Sequence, residues 1–192
     1  MAIDPVAQFQ QWYARAKRTS RRLPNAMALA TADRRGGPSV RIVLLKQVDA
    51  AGFVFFTDGD SHKGRDLAEN PRAALAFHWP TLGRQVRVEG RVEPVTAAEA
   101  DAYWASRPRA SRIAACASDQ SARLASRDAL LARWRRIRER YQGRPIPRPS
   151  AWTGYRVVPD SIEFWTHRPH RLHERERFTR TPRGWRRELL QP

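Results

Sequence analysis

Two turn signals, Gly36-Gly37-Pro38 and Asp49-Ala50-Ala51-Gly52, bracket the run Arg41-Ile42-Val43-Leu44-Leu45-Lys46. Aliphatic and β-branched residues between such breakers read as a buried strand with charged ends. Side chains alternate along a strand, so Arg41, Val43 and Leu45 share one face and Ile42, Leu44 and Lys46 the other. Of the 36 cationic residues in the chain, only Lys17, Lys46 and Lys63 are lysines. Where arginine serves almost everywhere, a retained lysine marks a place for a compact point charge on a flexible stem. Lys46 and Lys63 are therefore candidate site residues, although for the stretch in isolation solvated strand ends are the favoured reading of Arg41 and Lys46.

The pattern around this strand predicts mainly β structure with packed helices, an α+β chain forming a small barrel. Asp4-Pro5 opens an amphipathic helix over residues 5–17, with Val6, Phe9, Tyr13 and Ala16 on its apolar face. Met27–Thr31, Ser39–Lys46 and Phe53–Thr57 read as three strands of a meander. Ser61 caps a short helix over 62–69 that stops at Asn70-Pro71. His62 and Lys63 lie in its first turn, where the helix dipole disfavours cations unless an anion is bound. With free backbone N–H groups and the Ser61 hydroxyl they form a candidate phosphate cradle.

Residues 73–78 and 84–92 read as two further strands, and Thr96-Ala97-Ala98-Glu99 is a capping box for a helix that ends before Pro108. Tyr103 and Arg107 are four residues apart and share a helical face, with Ser111 just beyond. A phenol, a guanidinium and a hydroxyl converging there suit a phosphate ester, while a core-edge tyrosine and a dipole partner are the bland alternative. Ser126 caps a long helix with the stripe Leu130, Trp134, Ile137 and Tyr141, and Pro145, Pro147 and Pro149 form a stiff connector. Residues 155–158 and 162–165 alternate like two strands about Pro159-Asp160, and 174–180 with 185–190 form a last hairpin.

At 192 residues the chain is expected to be one domain. Its single cysteine, Cys116, excludes an internal disulfide, and no leader or membrane span is evident, so the cytoplasm is the expected compartment. The formal net charge of +17 makes polyanions the first partners to weigh. No P-loop, no G-x-G-x-x-G and no cysteine pair is present. His167, His170 and His173 are spaced by three, but Pro169 breaks the helix that would align them, so no metal site is expected.

Taken in order, Arg41 to Lys46, Phe56-Thr57, Ser61-His62-Lys63, Arg84-Gln85-Val86, Tyr103 through Arg107 to Ser111, Gln120-Ser121, Ile162 to Trp165 and His170 to Arg175 resemble the pyridoxine 5'-phosphate oxidase family. The resemblance spans nearly the whole chain. It implies an FMN-binding split β-barrel, a homodimer with FMN between subunits, and a C-terminal dimerisation and active-site segment from about residue 150. The implied FMN contacts are Arg41, Ile42, Val43, Leu44, Leu45, Lys46, Phe56, Thr57, His62, Lys63, Gln85, Gln120, Ser121, Trp165 and Arg175. Substrate contacts fall to Lys46, Tyr103, Arg107, Ser111, Arg171 and His173, the last two carrying the catalytic role from one face of an extended segment.

The implied reaction takes pyridoxine or pyridoxamine 5'-phosphate to pyridoxal 5'-phosphate, with O2 as acceptor and hydrogen peroxide released. His62 stands where the family commonly has Arg, Ala114-Ala115-Cys116 replaces Gly-Ala-Trp, and Thr153 replaces a Gly. The basic segment that often precedes the first helix in the family has no counterpart here, so looser closure over substrate is expected. A flavin oxidase acting on another reduced ring, of the phenazine-precursor type, is the alternative. A basic nucleic-acid-binding module is the third reading, and no recognised motif supports it.

Overall fold

The computed structural model describes residues 4–19 and 23–192. Among these residues nine strands form one sheet: β1 (Ala26–Ala32), β2 (Pro38–Leu44), β3 (Gln47–Asp49), β4 (Gly52–Asp58), β5 (Arg72–Trp79), β6 (Arg84–Pro94), β7 (Trp152–Thr166), β8 (Glu174–Thr181) and β9 (Gly184–Leu190). Five helices flank it: α1 (Pro5–Thr19), α2 (His62–Glu69), α3 (Ala97–Ser106), α4 (Arg109–Ala117) and α5 (Arg127–Arg140). The hydrogen-bonded path runs β2-β1-β5-β6-β7-β4-β3, with β8 and β9 branching from β7.

This path corrects the expected meander, because β4 pairs with β3 and β7 and not with β2. The reason lies at Leu45 and Lys46. Leu45 N–H donates to Asn25 O at 2.8 Å, beside β1, and Lys46 N–H donates to Val54 O at 2.8 Å, in β4. Adjacent residues thus tie the two ends of the path together, and the sheet curls into a half-barrel. The strand consequently stops at Leu44. It is also not buried in the single chain, since β2 pairs only with β1 and leaves Val40 and Ile42 69% and 68% exposed.

β7 is one strand of 15 residues where two were expected. One edge pairs with β6 from Tyr155 to Thr166, while the other serves β4 with residues up to Val157 and β8 from Ser161. Pro159, which has no N–H to donate, falls in the gap between those two partners and opposite Gly90, where the register with β6 shifts. The turn signal therefore marks a change of partner and not a reversal. The helix α4 was also unforeseen. It follows α3 after only Arg107 and Pro108, with no side-chain cap.

The core lies inside the curled sheet under α1. Asp4 caps α1, accepting from Val6 N–H at 2.9 Å, and so aims Phe9 inward. The Phe9 ring sits 4.8 Å from both Phe53 and Phe77 and 5.9 Å from Trp79, and is fully buried. A smaller cluster of Trp104, Ile113, Ile146 and Trp152 joins α3, α4 and β7. Replacing Phe9 by Ala leaves a cavity at the meeting point of helix and sheet, and should lower the unfolding free energy by about 3–5 kcal/mol in urea titration. A loss under about 1 kcal/mol would mean that α1 is not part of the cooperative core.

Candidate active site

The inner wall of β2, the floor of β4, the start of α2 and the α3–α4 corner enclose a cleft of about 1010 Å³. Arg41, Ile42, Val43, Leu44, Lys46, Phe56, Thr57, His62, Lys63, Tyr103, Arg107, Ser111, Gln120 and Ser121 all line it. Residues drawn from five stretches of sequence thus converge on one space.

At one end is a cluster of cations. Lys63 is 7% exposed, and its Nζ donates to Thr57 Oγ1 at 2.9 Å, Ser61 Oγ at 3.0 Å and Gln120 Oε1 at 2.6 Å. Burial, and then the Arg41 charge, lower its pKa to about 8. Arg41 donates to Thr31 Oγ1 at 2.7 Å, Leu29 O at 3.2 Å and Ser39 Oγ at 2.5 Å. The buried Asp66 lies 3.6 Å from Arg41 and 3.4 Å from His62, and accepts from Thr31 Oγ1 at 2.6 Å. Asp66 had given no signal in the sequence, being one acid on a short polar helix. Ser61 departs from expectation. It is fully buried, caps Gly64 N–H and donates to Asp58 O, so its hydroxyl holds α2 in place and does not face the cleft.

The other end is aromatic. The Phe56 and Tyr103 rings stack at 4.1 Å, Phe56 and Trp152 at 5.5 Å, and Lys46 Nζ lies 5.5 Å from the Tyr103 centroid. Gly154 permits this stack, since a Cβ there would meet the Phe56 ring at 2.6 Å. Arg107 is not on the helical face of Tyr103. It is the C-cap of α3 with extended backbone, and reaches the cleft because the chain turns at Pro108. Its guanidinium packs 4.8 Å from the Trp152 ring, and its Nη1 is buried without a hydrogen-bond partner among the described residues. Such an orphan donor suits an anionic group. Trp152, Ala114 and Ala115 also line the cleft, and sequence reasoning assigned them no contact.

The remaining candidates lie elsewhere. Leu45 is buried in the main core, 3% exposed. Gln85 faces Trp165 across β6–β7, Trp165 faces Arg175 across β7–β8, and the His173 ring is 4.5 Å from that of Trp165. Arg175 donates to Glu163 at 2.9 Å. Burial works to raise the Glu163 pKa, but hydrogen bonds from Arg175 and Arg87 hold it below the ordinary carboxylate value. Arg171 does not sit on an extended segment. Pro169 starts a 3-10 turn, and His170 and Arg171 adopt left-handed φ of 58° and 63°, a strained backbone for residues with side chains. None of Gln85, Trp165, Arg171, His173 and Arg175 lines the cleft of its own chain.

Among solved structures, the fold matches PhzG from Burkholderia lata 383, determined with tetrahydrophenazine-1-carboxylic acid, at a TM-score of 0.94 and 34% identity over 98% of this chain and 93% of that one. It also matches a pyridoxamine 5'-phosphate oxidase-related, FMN binding protein from Nostoc punctiforme at a TM-score of 0.79 and 18% identity, covering both chains fully. The architecture is therefore the split barrel. Residues 14–141 match the family model described as pyridoxamine 5'-phosphate oxidase, and residues 152–192 match the pyridoxine 5'-phosphate oxidase C-terminal dimerisation region. Curated relatives named pyridoxine/pyridoxamine 5'-phosphate oxidase are 53% identical in Gluconobacter oxydans and 56% in Anaeromyxobacter dehalogenans, each over 100% of this chain and 96% of its own length. The chain belongs to the pyridoxamine 5'-phosphate oxidase family.

Lys63 provides a pH test of the cleft's electrostatics. Its folded pKa of about 8 lies below the unfolded 10.5, so between these values the unfolded chain binds the extra proton and stability rises with pH. Below about pH 8 both states are protonated, and the cost of burying the charge is paid in full. Comparing apoprotein with a Lys63→Met variant from pH 7 to 11, the parent should gain on the order of 2–3 kcal/mol relative to the variant across that window. A flat difference would show that Lys63 is not desolvated.

Proposed function

We propose that the protein oxidises pyridoxine or pyridoxamine 5'-phosphate to pyridoxal 5'-phosphate with FMN as cofactor and O2 as acceptor. The observation that carries this reading is one cleft with a cationic end at Arg41, His62 and Lys63 and an aromatic end where Lys46 and the Arg107 guanidinium lie against Tyr103 and Trp152. Its volume, at the upper limit of about 1,000 Å³ usual for a single small-molecule site, suits two flat ligands. Arg41, His62 and Lys63 would hold the FMN phosphate, with Ile42, Val43, Leu44, Lys46, Phe56, Thr57, Gln120 and Ser121 along the flavin. The orphan Nη1 of Arg107, with Tyr103 and Ser111, would take the substrate phosphate, and Lys46 would lie against the pyridine ring. Bound FMN supplies a hydride acceptor at N5 that O2 reoxidises, releasing hydrogen peroxide. The protein's part is to bind, orient and exclude water.

Gln85, Trp165, Arg171, His173 and Arg175 would complete the cleft of a partner subunit. Three features support a homodimer with shared sites: these residues miss their own cleft, β2 presents exposed Val40 and Ile42, and the matched dimerisation region contains Trp165, Arg171, His173 and Arg175. In that arrangement Arg171 and His173 orient the substrate ring and handle its proton. The whole chain then acts as one cytoplasmic domain, its segment from about residue 150 supplying the partner.

The similarity to PhzG supports a second reading, oxidation of a reduced phenazine precursor. A substrate panel separates the two. Purified protein should be yellow, consume O2 with pyridoxamine or pyridoxine 5'-phosphate and form pyridoxal 5'-phosphate, leaving reduced phenazine carboxylates largely untouched. A colourless protein that refuses FMN sinks both readings. Loss of one charged contact predicts that Arg41→Ala weakens FMN binding roughly 10- to 100-fold with turnover kept at saturating FMN. Arg171→Ala should do the reverse, and unchanged turnover in that variant would remove the role assigned to Arg171.

A further inference from the structure

Positive charge is spread unevenly over the molecule. On the sheet, most arginines are matched by acids: Arg87 and Arg175 share Glu163, Arg156 bridges Asp49 and Glu99, and Arg177 meets Glu188. Residues 123–144 hold eight arginines against only Asp128 and Glu139, so eight less two leaves six of the net +17 in this one segment. Among the described residues, only Arg133 of those eight forms an ion pair, with Asp119.

The shape of α5 organises that charge. Its stripe of Trp134, Ile137 and Tyr141 packs on the Trp104 cluster. At 3.6 residues per turn the rest of the circumference carries two cationic flanks, Arg127, Arg135 and Arg138 on one and Arg133, Arg136 and Arg140 on the other. A crest of Asp128, Ala132 and Glu139 separates them. All of these arginines are exposed except Arg133, which is half-buried. A helix about 10–12 Å across fits a B-form major groove about 12 Å wide, and cations on both flanks then face the phosphates of both walls. The short, partly acidic crest offers little to base edges, which makes such contact insensitive to sequence. A lipid surface is the poorer match, because an interfacial helix needs its apolar stripe for the bilayer and α5 turns that stripe onto the protein.

We propose that α5 docks in the major groove of duplex DNA through the phosphate backbone, without sequence preference. Binding of the FMN-loaded protein to a short labelled duplex, followed by anisotropy against salt, tests this. Five contacts, since Arg133 is held by Asp119, give a slope of log affinity on log salt of about −4.5, and roughly a five-hundredfold loss between about 50 and 200 mM salt. Replacing Arg135, Arg136, Arg138 and Arg140 by Ala should flatten that slope by about 3–4 with flavin content and turnover at the parent level. A control lacking Arg34, Arg35, Arg183 and Arg186 carries the same total charge and should keep the parent slope. Three results would overturn the proposal: no duplex binding at about 50 mM salt, equal loss in the control, or binding to phosphatidylglycerol vesicles with none to the duplex.

Discussion

A buried ammonium holds the cleft together. Taking the Lys63 charge out of water costs several kcal/mol unless its donors are met, and it has three N–H groups. The three acceptors come from three places: Thr57 on β4, Ser61 at the cap of α2, and Gln120 in the chain after α4. Strand, helix and connecting segment are therefore fixed relative to one another by a single side chain. Asp66, the nearest buried carboxylate, is engaged with Arg41, His62 and Thr31 instead. The ammonium is thus solvated by neutral oxygens and left with electrostatic need for an anion, which is the property a phosphate site requires.

The half-barrel decides what one chain can and cannot assemble. Because Leu45 and Lys46 tie opposite ends of the sheet path together, the residues before them face the cleft and Lys46 reaches its aromatic end. The same closure leaves β2 as an open edge strand with apolar side chains in solvent. On the far side, β7 carries β8 and β9 away from the cleft, and with them Trp165, His173 and Arg175. Two incomplete halves on one chain, joined by a matched dimerisation region, are the physical basis for the shared site proposed above.

Much of this was legible in the sequence where local chemistry decides the outcome. Asp4-Pro5, Ser61 and the Thr96/Glu99 capping box each start a helix where expected. What failed were features set by distant partners. Pro159 reads as a turn, yet it sits mid-strand because β4 ends and β8 begins there. The strand from Arg41 reads as buried because its composition is apolar, yet Ile42 and the neighbouring Val40 are open to solvent in one chain. Tyr103 and Arg107 do line the same cleft, but through a corner at Pro108 and not through helical spacing. Asp66 and Trp152 left no signal because their importance arises only from what the fold brings against them.

Subunit complementation tests the shared site most directly. Arg41→Ala and Arg171→Ala variants, each assayed without excess FMN so that both are inactive, are mixed and allowed to exchange subunits. In a mixed dimer of two-fold symmetry one cleft carries both substitutions and the other carries neither, so pyridoxal 5'-phosphate formation should return to about a quarter of the parent level. Exchange verified by mass spectrometry with no recovery of activity would mean that each protomer holds its whole site, and would contradict the account.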